Sequence, residues 1–153
     1  ISNEVVPRDP VYIAYGLGVN NSTDRSLRLS ILDNTQLCIV RKNTNKINKN
    51  TIKAQVTDII RNFFDPNNNE LGQNINLTSL TNSILSIEGV KRMYTHSTSD
   101  SSSYDGISFL SFNPLYPDSD IQIVTQDTSL PFFKFPYLYA PLSISNRIVV
   151  KDE

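Results

Sequence analysis

A chain of 153 residues with 39% in the AVILMFWYC set is enough for one domain, which should bury roughly 70% of the surface its unfolded form exposes. Charged residues make up only 19% and the net charge is −1, which excludes a disordered polyelectrolyte and the basic footprint of a nucleic-acid or anionic-membrane binder. One Cys, one His and no Trp exclude a disulfide scaffold and a Cys/His zinc site.

The polar share lies in uncharged residues, with Asn, Ser and Thr supplying 46 positions. No apolar run approaches the ~20 residues that span a bilayer, and no charged-then-apolar leader opens the chain, so it is expected to be soluble and not bound to a membrane. Because it begins at Ile1 rather than Met, we expect a single domain over 1–153 that is a C-terminal fragment of something longer.

Val11, Ile13, Tyr15, Leu17 and Val19 alternate with Tyr12, Ala14, Gly16 and Gly18, the period-two pattern of a strand with one core face. The other face is small, and its two glycines permit close approach of another element or a bulge. After the polar stretch from Asn20 to Arg25, Leu27, Leu29 and Ile31 alternate with Ser26, Arg28 and Ser30. This reads as a second strand, joined through Asp33 and Asn34 to Leu37–Val40 in a hairpin.

Residues 42–50 are mostly Lys and Asn and read as a solvated connection. Ile52, Val56, Ile59, Ile60, Phe63 and Phe64 fall at i, i+4, i+7, i+8, i+11 and i+12, the stripe of an amphipathic helix over 51–64. Asn50 or Thr51 is its candidate N-cap, and Asp65-Pro66 stops it. Leu77, Leu80, Ile84 and Ile87 form the stripe of a shorter helix over 78–88, with Thr78 as N-cap and Gly89 as a left-handed C-cap. Val90 to His96 reads as a strand, and the serine-rich residues 97–106 as a mobile loop. Residues 107–112, 121–124 and 144–150 are further strand candidates, and no repeat with a period of 20 to 50 residues is visible.

Chemistry finds little support. His96, the one histidine, stands at a strand end with no elbow motif to expose a serine nucleophile beside it. Cys38 lies inside an apolar strand and reads as a small buried hydrophobe. The carboxylates are scattered, which leaves a glycosidase pair unsupported. Gly16 and Gly18 are not followed by a third glycine or a helix, so the dinucleotide motif fails. No catalytic, cofactor-binding or metal-binding residue is assigned, and no small-molecule substrate.

The most unusual stretch is 131–141, where Phe132, Phe133, Phe135, Tyr137 and Tyr139 crowd between Pro131, Pro136 and Pro141. Proline lacks the N–H a central ladder needs, so this segment should be an extended arm or edge strand. Its rings either complete the core of their own domain or anchor a partner chain, with sugar stacking a third possibility. As an interface, Phe132, Phe133, Phe135, Tyr137 and Tyr139 are the candidate residues.

The middle of the chain carries a further pattern: a helix ending Phe63-Phe64-Asp65-Pro66, then Asn69-Glu70-Leu71-Gly72-Gln73, a hydroxyl-led second helix, and Ile87-Glu88-Gly89-Val90. Over Ile52 to Tyr94 it resembles the carboxy-terminal region of the baseplate J-like proteins of contractile-tailed phages, in particular T-even-like baseplate wedge proteins. The resemblance implies a structural virion role in the ring around the tail hub. Its partners would be a second copy, as a homodimer, and other baseplate wedge proteins, with assembly in the host cytoplasm. The alternative is a carbohydrate- or receptor-binding domain of a phage tail protein. The fold expected is α+β: two helices on a mixed, mainly antiparallel sheet, with the aromatic-proline arm.

Overall fold

The computed structural model describes residues 10–20, 25–43, 46–65, 75–99, 101–115, 121–131 and 133–153. Pro66, the Leu71-Gly72 corner and Phe132 lie outside them. The architecture is α+β, with two four-stranded sheets where one was expected. The first contains β1 (Val11–Leu17), β5 (Phe109–Phe112), β6 (Gln122–Val124) and β7 (Lys134–Leu138), in the order β6-β5-β1-β7. The second contains β2 (Thr35–Arg41), β3 (Val90–Ser97), β4 (Ser103–Tyr104) and β8 (Ile148–Asp152), in the order β4-β3-β2-β8.

The two sheets share one plan. An antiparallel hairpin, β5–β6 or β3–β4, lies on one side of an early strand, β1 or β2, and a late strand, β7 or β8, runs parallel on the other.

Both sheets feed one core. Ile13, Tyr15 and Leu17 of β1 meet Leu37 and Ile39 of β2, together with helices α2 (Lys49–Phe63) and α3 (Leu77–Leu85). Along α2 the stripe reads as expected: Ile52, Val56 and Ile60 are fully buried, Phe64 nearly so, and Ile59 and Phe63 are half-buried at its flanks. The caps lie two to three residues earlier than expected. Asn48 Oδ1 accepts from the Asn50 N–H (2.7 Å), and Asn76 Oδ1 from the Ser79 N–H (2.9 Å). Asparagine satisfies these free donors as well as Ser or Thr does, and an Asn-rich run offers several competent caps between which periodicity cannot choose.

The expected strand at 27–31 is instead helix α1 (Arg25–Asn34), which leads into β2 with no hairpin turn between them. Over so short a run apolar spacing fits either period. The outcome is decided by Leu32, fully buried on the far face of the first sheet with Ala14, Leu110 and Phe112. The end of α1 is held by side chains bonding back one turn: Asn34 Nδ2 to the Ser30 carbonyl (2.8 Å) and the Thr35 hydroxyl to the Ile31 carbonyl (2.6 Å). The small face of β1 accordingly receives α1. A Cβ on Gly16 would stand 2.6 Å from Leu32 Cδ2, so the glycine there is a packing requirement.

Two other stretches contain elements that the sequence reading did not place. The described residues of 97–106 include β4, which pairs with β3, Thr95 opposite Tyr104 and His96 opposite Ser103, with Ser101 at φ 63°. The serines mark the turn, while pairing with β3 supplies the two-residue strand. At the chain end, Pro141–Arg147 is a 3₁₀ segment, so the last strand starts only at Ile148.

Gly89 has φ 93°, yet α3 already ends at Leu85, with Ser86 as its cap. The glycine closes the following turn, in which the Val90 N–H donates to the Ile87 carbonyl (3.1 Å) while the Gly89 carbonyl accepts from the Lys42 N–H (2.9 Å). Gly89→Ala is therefore expected to cost about 1–2 kcal/mol by forcing a Cβ into the left-handed region. Thermal denaturation reads this, and a variant as stable as the parent would contradict it.

Candidate functional site

The aromatic-proline segment becomes β7, an edge strand parallel to β1 in which Pro136 sits opposite Ile13. The bonds to β1 come from its odd-numbered residues and neighbours: the Phe133 carbonyl accepts from the Val11 N–H, and the Tyr139 N–H donates to the Tyr15 carbonyl, both at 2.8 Å. The nitrogen of Pro136 consequently lies on the outer edge, where its missing N–H costs the ladder nothing and obstructs addition of a further strand. A partner at the β7 edge must therefore be met by side chains and not by the backbone.

Those side chains share the far face of the first sheet. The register sets Tyr12 beside Phe135 and Ala14 beside Tyr137 and Phe112. Helix α1 covers part of this face, where Leu29 and Leu32 meet Ala14, Leu110 and Phe112, with Tyr137, Tyr139 and Ile121 half-buried around them. Beyond that cover lie Tyr12, 56% exposed, with its ring centroid 5.9 Å from that of half-buried Phe135, and Ile123, 42% exposed.

Tyr139 is held more firmly. Its ring meets Phe112 edge-on at 5.8 Å and carries the Arg147 guanidinium 5.7 Å from its centroid, and Arg147 in turn pairs with Asp33 at the end of α1 (2.9 Å). The Tyr137 phenol is pushed above its ordinary range by burial first and by neighbouring Tyr139 second.

The candidate residues thus separate. Tyr137 and Tyr139 complete the second core, Phe135 projects with Tyr12, Phe133 is a half-buried turn residue at the start of the arm, and Phe132 is outside the described residues. Tyr12 was missed because its partner stands more than a hundred positions away, a relation that local periodicity does not carry. The same holds for Arg147.

His96 is half-buried in β3 between Gln36 and Ser103, and its imidazole makes no hydrogen bond or ion pair with the described residues. Cys38 is buried in the centre of the second sheet. Among the described residues, no three His, Cys, Asp or Glu side chains converge as metal ligands, and no helix is long and apolar enough to cross a membrane. No protein-family model and no curated protein matches this chain.

Proposed function

We propose that this chain is a structural assembly module, a baseplate wedge component of a contractile phage tail, and that it pairs with a second copy through the far face of its first sheet. The observation that carries the contact is the Tyr12–Phe135 pair at the β1–β7 side of this face, where Tyr12 is left exposed beyond the cover of α1. The baseplate assignment is supported by the resemblance over Ile52 to Tyr94. A two-fold contact is the commonest way identical chains meet. Fully burying one such ring contributes roughly 1.5–3 kcal/mol, and a two-fold contact presents each ring twice, so these anchors work against the entropic cost of association.

The test is Tyr12→Ser combined with Phe135→Ser, followed by light scattering over a concentration series and by circular dichroism. The expected result is a dimeric parent and a folded, monomeric variant. A parent that remains monomeric throughout, or a variant that loses its folded state, overturns this contact.

A further inference from the structure

We propose that the outer face of the second sheet binds an acidic saccharide, at a site separate from the assembly contact. The face follows from the register. Arg92 of β3 and Lys151 of β8 flank Val40 of β2 on either side, and in the adjacent row Tyr94 and Val149 flank Cys38. Cys38 and Val40 are buried, giving an apolar floor between two cations. The Tyr94 ring gathers both charges, with the Arg92 guanidinium 5.2 Å and the Lys151 ammonium 6.0 Å from its centroid.

Beside this row, at the β4 edge of the sheet, Arg92, Tyr94, Ser103 and Asp105 line an open depression of about 480 Å³, which Tyr104, paired with Thr95, enters from around the edge. Its far wall is built, not incidental. The hydroxyl of Thr95, fully buried, donates to the Gly106 carbonyl (2.8 Å) and accepts from the Ser108 N–H (3.1 Å), fixing the backbone that follows Tyr104 and Asp105. Gly106, at φ 127°, lets the Tyr104 ring lie against the main chain: a Cβ there would be 3.1 Å from Tyr104 Cε1. The ring is propped in place yet 38% exposed.

The chemistry of the lining selects the ligand. A propped tyrosine face suits the C–H face of a pyranose. Asp105 as acceptor, Arg92 as a planar donor and Ser103 as either match ring hydroxyls. Arg92 and Lys151 together outweigh Asp105, which favours a sugar bearing a carboxylate. A nucleotide phosphate could engage the same two cations, so a nucleotide serves as the control for charge alone.

Isotope-labelled protein titrated by NMR with a glucuronic-acid disaccharide, its neutral counterpart and adenosine monophosphate tests this. The acidic disaccharide should give saturable shifts at Tyr94 and Ser103–Asp105, with the neutral one about tenfold weaker. Tyr104→Ser should weaken both by about tenfold, and Arg92→Gln with Lys151→Gln should reduce the acidic sugar to the level of the neutral one. All three side chains are exposed, so these variants should keep the parent circular dichroism spectrum. The absence of saturable shifts with either sugar, binding untouched by Tyr104→Ser, or tighter binding of the nucleotide would overturn the proposal. Tyr12 and Phe135 are on the other sheet, so this result and the oligomeric state fail or succeed independently.

Discussion

Phe64→Ala should be among the most damaging single substitutions, at about 3–5 kcal/mol, a large share of the roughly 5–15 kcal/mol that holds a domain of this size folded. Phe64 is 3% exposed and caps α2 at the junction of three elements. Its ring lies 5.6 Å from Tyr15 of β1, 5.4 Å from Phe109 of β5 and 5.0 Å from Phe63, the last two edge-on. Truncation removes the transferred area and leaves a cavity that two sheet residues and a helix end cannot all collapse into. Urea denaturation measures the loss as a lower midpoint at unchanged slope. The Tyr15 phenol gives a local readout: burial pushes its pKa up to about 12, and a loosened junction should let it titrate closer to 10. A variant within 1 kcal/mol of the parent, on the scale of a surface substitution, would show that the junction repacks freely.

The second large effect is expected where α1 meets β1. Leu32→Ala should cost about 2–5 kcal/mol, because Leu32 is fully buried over Ala14, Leu110 and Phe112. Gly16→Ala should cost about 1–3 kcal/mol by overpacking, since its new Cβ would reach Leu32 Cδ2 at 2.6 Å and Tyr139 Cβ at 3.3 Å. The two losses should not add. With Leu32 shortened, the space Gly16 keeps open is no longer contested, and the second substitution should cost markedly less than it does alone. Strict additivity in a double-mutant cycle would place α1 elsewhere.

These two sites mark what could be read from residues alone. The α2 stripe was legible because fifteen residues repeat one period with few exceptions, and Val11–Leu17 because its alternation is clean. The positive φ at Gly89 was legible too, although the element it ends was misjudged. Helix α1 was not legible: Leu29, Ile31 and Leu32 satisfy two periods at once, and the choice is made by the packing of Leu32 against Gly16 and Phe112, which local spacing does not carry. The division into two sheets was hidden for the same reason, since β1 and β2 are both early strands and only their late partners assign them to different ladders. At the candidate interface, composition located the ring-bearing arm, but which ring faces outward depends on the pairing of Tyr12 with Phe135. The saccharide cavity left even less trace, because Arg92, Tyr94 and Tyr104 converge only through the β3–β4 hairpin.

The shared plan of the two sheets bears on synthesis. β7 and β8 seal one side of ladders begun by β1 and β2, and the Arg41–Asp152 pair alone closes a separation of 111 positions. Contacts so distant along the chain require loop closure before they return any stabilisation, which slows folding. On the ribosome, β1 and β2 would each wait with a bare edge until β7 and β8 had emerged. Because β8 is the lock for the second sheet, a nascent chain stalled before β8 has emerged would still expose one side of β2 to neighbouring chains.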